Sequence, residues 1–334
     1  MQHRNNFNLL RLVAALSVVF SHTFTFYNHE KDPFHSLTGL YASTVGLVIF
    51  FTISGFLITK SLLTSASLWQ YFIKRLLRIL PALYVSTLLT MLVIAPLLTP
   101  FDLKTYCIDV LFWQYLQVFF VFRAVQPLPG VGILNGALWS IALEIKLYIA
   151  LSFLYFITQK LPKIKIKWLI LSVFLLFFII KILVFIQNHT LADNYTNTLN
   201  FGTLFMLGST VSVFPALLDF YKKPLSLFAL FICILFCFFA FLEIPALMLA
   251  LPYLVLQIGL SQSKIGDCVT AKGDFSYGIY VYALPLQHLL AHYINIENFA
   301  PLLFFTLILL FLLPIAVFSW FFVEKPALAL KNRG

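Results

Sequence analysis

The chain has 334 residues, 61% of them hydrophobic and only 10% charged, with a mean hydropathy of +0.97; a soluble domain carries about 25% charged residues. That composition excludes a water-soluble globular protein and defines a polytopic membrane protein, with membrane lipids as its immediate surroundings. The net charge of +10 does not point to nucleic acid, because the cations fall where membrane orientation accounts for them.

At ~20 apolar residues per crossing, hydropathy predicts helices at 7–27, 40–64, 81–99, 136–158, 168–187, 201–217, 225–242, 245–260, 275–292 and 301–322. The expected fold is all-α, with about ten transmembrane helices in one domain over 1–334 and no separate soluble core. The first run resembles a signal peptide, but Arg11 interrupts it and no small-x-small site follows, so it reads as an uncleaved first helix. With the N-terminus inside, fifteen cations, from Arg4 through Lys74, Arg75 and Arg78 to Lys331 and Arg333, lie on inner segments. Only Lys31, Lys104 and Arg123 lie on outer ones. This is the positive-inside pattern and places both termini in the cytoplasm. Cys233 and Cys237 share one apolar run while Cys107 and Cys268 stand alone, so neither a CxxC pair nor metal spacing exists and no metal site is expected.

Ionisable side chains inside the spans cost ~2.5–3.5 kcal/mol each at the bilayer centre, so each needs a partner or an interfacial escape. In the first helix, Arg11 and His22 are eleven positions apart, which is ~16 Å of rise and ~20° short of alignment on an α-helix. They share a face, Arg11 low and His22 in the outer half. Residues 68–80, LWQYFIKRLLRIL, have an apolar stripe opposite Lys74, Arg75 and Arg78 and read as an amphipathic helix on the inner surface. It serves as a lipid anchor or, through Arg75 and Arg78, as a phosphate grip. Segment 100–135 is an outer piece whose apolar stretch is expected in the interface, and 188–200 is a polar outer loop. Glu144, in ALWSIALEIKLY, is the only carboxylate within a predicted span, at a depth within one turn of His22; it either serves His22 as proton acceptor and orienter or bridges to a cation on another helix. Lys60, Lys181 and His292 are near span ends and snorkel; His288 is interior.

Six short motifs, in order, resemble the acyltransferase-3 family of integral membrane acyltransferases. They are Arg11 with His22; Phe50, Phe51, Ser54 and Gly55 in FFTISGFL; Arg75, Arg78 and Pro81 in RLLRILP; Trp139, Ser140 and Glu144 in WSIALE; SYGIYVYALP from Ser276; and the closing Glu324-Lys325-Pro326. The pattern has Ala283 where many members carry a histidine before the proline, with His288 about one turn further on. The resemblance implies transfer of an acyl group, acetyl foremost, from cytoplasmic acyl-CoA to a hydroxyl of a surface or lipid-linked carbohydrate. Acyl-CoA is then a co-substrate, with no permanently bound cofactor, and the multi-pass protein belongs in the bacterial inner membrane. Arg11, Arg75 and Arg78 are the expected acyl-CoA phosphate ligands, and His22 is the general base or transient acyl carrier with Glu144 beside it. Ser54, Trp139 and Tyr277 are candidates for lining the cavity or donating to the oxyanion. A proton-coupled transporter or flippase of a lipid-linked sugar or small solute is the rival, with a helix-pairing scaffold third.

Overall fold

The computed structural model describes residues 5–27, 31–121, 127–136, 138–187, 193–221 and 250–332. Among them there is no strand, only an isolated bridge between Leu128 and Gly132. The helices are α1 (Phe7–Thr25), α2 (Pro33–Thr38), α3 (Ala42–Thr64), α4 (Leu68–Leu98), α5 (Leu103–Ile108), α6 (Val110–Val121), α7 (Leu138–Lys160), α8 (Ile166–Ile186), α9 (Asp193–Val213), α10 (Pro215–Tyr221), α11 (Leu251–Leu260), α12 (Lys264–Lys272), α13 (Ser276–Tyr293) and α14 (Pro301–Ala329). Six of these, α1, α3, α4, α7, α8 and α14, are long and apolar enough to cross a membrane. A seventh results if α9 and α10, bent by 106° where Pro215 lacks an N–H, form one span. The predicted crossing at 225–242 and the first part of that at 245–260 lie outside the described residues.

Segment 68–99 departs from its expectation. In place of a surface helix followed by a crossing, α4 runs unbroken for 31 residues, carrying Pro81 in its interior and closing through a π-turn at Thr90–Ile94. Its apolar stripe and its cations are buried to a similar degree, with Trp69 and Leu76 the exposed members of the stripe. Trp69 is 74% exposed, while the Arg78 side chain is turned inward to 20%. Arg78 turns inward because it finds carboxylates within the protein, described below. The polar segment from Asp193 is likewise helical, opening α9, and 110–121 forms a short apolar helix, α6.

The described chain divides into two compact units. The first comprises Met1–Ala14, Pro33–Tyr71 and Glu144–Lys272. Its core joins Phe7, Leu10 and Ala14 of α1 to Ile49, Ile53 and Phe56 of α3, Leu207 and Val211 of α9, and Val255 and Leu256 of α11. Lipid is as apolar as a leucine side chain, so helix association in a bilayer depends on close approach of small residues. Gly55 and Gly208 supply it between α3 and α9: a Cβ on Gly55 would fall 1.9 Å from the Phe205 carbonyl oxygen, and one on Gly208 2.2 Å from that of Thr52. Asn6 fastens the start of α1 to the end of α11, donating to the Ile258 carbonyl at 3.1 Å and accepting from Ser263 Oγ at 2.7 Å. In α8 Ile170 is the one buried residue, as suits a lipid-facing helix.

The second unit comprises Ala15–Asp32, Phe72–Leu143 and Gly273–Gly334. Here α13 is the central element. Gln287, fully buried, donates through Nε2 to the Val19 carbonyl (3.0 Å) and Thr23 Oγ1 (3.2 Å) of α1. Ser86 of α4 donates to the Val281 carbonyl at 2.8 Å. Gly278 allows α14 to approach, since a Cβ there would lie 3.3 Å from Ala316 Cα.

Candidate active site

On α1, the strip from Arg11 to His22 passes through Ala15 and Val18, at i+4 and i+7, which are 0% and 5% exposed. Arg11 and His22 are themselves half-buried. The shared face inferred from helix geometry is thus turned into the protein and away from lipid. The arginine belongs to the first unit and the histidine to the second, with the unbroken helix α1 carrying both.

In the first unit, α3 and α7 bring Ser54 to Glu144. Ser54 Oγ donates to Glu144 Oε1, and Tyr148, one turn further along α7, donates to the same oxygen at 2.5 Å. Two hydroxyls on one oxygen fix the carboxylate's rotamer. Ser54 therefore acts on Glu144, and its hydroxyl is spent there. Gly55 beside it is the residue that lets α9 come close enough for α3 to sit at this depth. Lys146 is exposed, and Lys181, expected to snorkel, donates to Asn200.

In the second unit, Arg78 is the hub of a buried ionic cluster. Its Nη2 lies 2.6 Å from Asp274 Oδ2 and its Nη1 3.4 Å from Glu324 Oε2. The guanidinium is also 5.8 Å from the Tyr277 ring and 5.9 Å from that of Trp320, within cation–π range. Ser276 Oγ donates to Asp274 Oδ1 at 2.5 Å, and Ser319 Oγ to Glu324 Oε1 at 3.2 Å. Gly273, at φ +131, passes so close to Trp320 that a Cβ would fall 2.3 Å from its Nε1. Tyr277 donates to the Ile79 carbonyl at 2.8 Å, so its hydroxyl, like that of Ser54, is engaged in holding helices. Trp139 is half-buried, and its neighbour Ser140 shares a 2.5 Å hydrogen bond with the Tyr280 hydroxyl.

Glu324 is a further buried carboxylate: α14 continues past Phe322 through a π-turn at Trp320–Glu324 and buries Glu324 to 1% exposure. Sequence reasoning missed Asp274 and Glu324 as partners of Arg78. The available signal was that each flanks a quoted motif, Asp274 before Phe275-Ser276-Tyr277 and Glu324 in the closing Glu-x-Pro. Asp32, just after α1, is 2% exposed and accepts at 2.6 Å from the Oγ of Ser21, the residue before His22. At the basic end of α4, partial burial lowers the Lys331 pKa, and the neighbouring charges of Arg75 and Lys74 add to it.

A helix-borne arginine and histidine on one face, a carboxylate held by two hydroxyls, and a buried Arg–Asp–Glu cluster are thus built from motif residues together with Tyr148 and Asp274. The acyltransferase domain that defines the acyltransferase-3 family matches residues 4–321. The chain belongs to the acyltransferase-3 family. Within this acyltransferase-3 relationship, it is 28% identical over 342 aligned positions to a protein named O-acetyl transferase from Shigella phage Sf6, covering 97% of this chain and 96% of that one. It is 36% identical over 165 positions to nodulation protein 10 of Rhizobium leguminosarum bv. viciae, covering 46% of this chain and 44% of that protein. No solved structure matches.

Proposed function

We propose that this acyltransferase-3 protein is a membrane O-acyltransferase of the bacterial inner membrane. It moves an acyl group, acetyl foremost, from cytoplasmic acyl-CoA to a hydroxyl of a surface or lipid-linked carbohydrate. The observation that carries the reading is the match to an O-acetyl transferase along 97% of the chain, which includes the buried Arg11–His22 face.

Arg75 and Arg78, with Arg11, are the nucleotide phosphate ligands. Arg78 is also bonded to Asp274 and Glu324, which steadies its guanidinium. His22 accepts the proton of the attacking hydroxyl as its oxygen bonds to the thioester carbonyl carbon. The carbon–sulfur bond then breaks, and the departing CoA sulfur takes the proton from His22, leaving ester, free CoA thiol and neutral imidazole. Glu144, held by Ser54 and Tyr148, is the second group that the family resemblance assigns to catalysis.

Replacing His22 by alanine tests this. The protein is expected to accumulate normally and to lose acyl transfer by a factor of about 10² or more, read by mass spectrometry of surface glycans for the acetyl mass difference. Undiminished acetylation in His22→Ala cells, or glycans identical in cells with and without the wild-type protein, would sink the reading. A proton-coupled transporter would instead show gradient-driven uptake with no need for acyl-CoA.

A further inference from the structure

His288 has no part in the mechanism above, yet the second unit builds a structured polar environment around it. Its ring packs edge-on to Phe26, with centroids 4.9 Å apart at 73°. Phe26 is four residues beyond His22, just past the end of α1. On its other side lies the backbone of Gly132. The segment 127–136 is made to fit there. Leu128 and Gly132 exchange backbone hydrogen bonds of 2.8 and 2.9 Å, and Gly132, at φ +102, brings its backbone so near that a Cβ would be 3.9 Å from His288 Cε1. Such a φ suits glycine alone.

The same segment runs along α13 from His288 to Leu284, where Gly136 is so close that a Cβ would lie 3.2 Å from Leu284 Cδ2. Asn135 falls within this stretch, 6% exposed, and its Oδ1 has no hydrogen-bond partner. Gln287, 0% exposed, spends its amide N–H groups on α1 at Val19 and Thr23, on either side of His22. Its Oε1 has no partner either. A neutral imidazole that donates through one nitrogen accepts through the other. Along α13 and the segment packed on it the chain therefore presents three acceptors, one on His288 and one each on Asn135 and Gln287, and buried acceptors of this kind call for donors. Water or an aliphatic alcohol brings one oxygen, whereas a polyol brings several O–H donors spaced along a carbon frame.

We infer that His288, Asn135 and Gln287 bind neighbouring hydroxyls of a polyhydroxylated acceptor and so decide which of its hydroxyls is turned towards His22. The inference rests on the acyl-transfer reading and adds to it the acceptor side of the site. His288 is a positioning and recognition residue: the proton of the reacting hydroxyl goes to His22 and on to the CoA sulfur, and His288 begins and ends the cycle neutral.

The test uses membrane vesicles holding the full chain, acetyl-CoA as donor, and methyl glycosides of glucose, galactose, rhamnose and N-acetylglucosamine as acceptors, with n-propanol as a one-hydroxyl comparison. His288→Phe keeps the ring against Phe26 and removes both nitrogens; Asn135→Ala removes one acceptor from the loop. Each is expected to raise the KM for the preferred glycoside by about tenfold and to spread the acetyl group over more than one hydroxyl by NMR. The KM for acetyl-CoA and the slow release of CoA without glycoside should stay within about twofold of wild type. An unchanged glycoside KM with a single ester position overturns the inference, as does a wild-type protein that acetylates propanol as readily as any glycoside. If CoA release falls together with transfer in the variants, acceptor recognition is not what His288 supplies. If His288→Phe does not accumulate, Asn135→Ala decides by the same criteria. A wild-type protein that never releases CoA overturns acyl transfer itself, a different result from any of these.

Discussion

Removing the Arg78 guanidinium leaves the carboxylates of Asp274 and Glu324, 10% and 2% exposed, without their shared cation. Breaking a buried ion pair in this way costs about 3–5 kcal/mol, because the remaining charges cannot recover their hydration. Arg78→Ala is therefore expected to lower the thermal midpoint of the detergent-solubilised protein well below that of Arg75→Ala. Arg78→Lys should fall between wild type and Arg78→Ala, since an ammonium supplies a point charge but not a fork. Equal midpoints for the two alanine variants would show that the cluster contributes no more than an ordinary basic face. The sequence made Arg78 conspicuous but not its role. Its partners lie 196 and 246 residues away, and a hydropathy window that ends at Phe322 stops two residues before Glu324. Ser54 is a similar case: a serine beside a glycine in an apolar run reads as packing, and only α7 placed across from α3 reveals that it orients Glu144.

Among elements, the contact of α3 with α9 is set by two glycines that face backbone. A methyl group on Gly55 or Gly208 would meet carbonyl oxygens of the opposing helix at 1.9 and 2.2 Å, so the helices themselves must part. On Gly202 it would meet the Phe177 side chain at 2.6 Å, which can rotate away. Gly55→Ala and Gly208→Ala are expected to destabilise by at least about 1–3 kcal/mol, the usual cost of overpacking, and Gly202→Ala by much less, measured as thermal midpoints in one detergent. Gly55→Ala should also reduce transfer in whatever protein survives, because parting α3 from α9 shifts Ser54. A Gly202→Ala variant as damaged as Gly55→Ala would refute the distinction between backbone and side-chain neighbours. Helix content was legible from hydropathy because a bilayer admits little else, and α1, α3, α7, α8 and α14 fall close to their predicted positions. The difference in α4 came from treating Arg78 as water-facing. A window scale counts charge as polar whether it is solvated or paired, and Pro81 looked like a helix start when it is an interior residue of a long helix.

For the whole molecule, orientation is the inference that distance and burial within each unit do not reach, and two native cysteines make it testable. Cys107 and Cys268 are both free and exposed. Cys107 lies in α5, on the segment that the positive-inside pattern assigns to the outer face. Cys268 lies in α12, between Lys264 and Lys272, on a segment it assigns to the cytoplasm. A membrane-impermeant maleimide applied to intact cells should modify Cys107 and spare Cys268, and permeabilising the cells should bring Cys268 to similar labelling, as followed by peptide mass spectrometry. The reverse pattern would invert the chain in the membrane. It would place the Arg75 end of α4 outside and put the proposed phosphate ligands on the side where acyl-CoA does not occur. Labelling of both sites in intact cells would mean an even number of crossings between positions 107 and 268, where the loop charges require an odd one. That count depends in part on residues 222–249, outside the described chain, so cysteine labelling constrains a stretch of topology that hydropathy alone assigned.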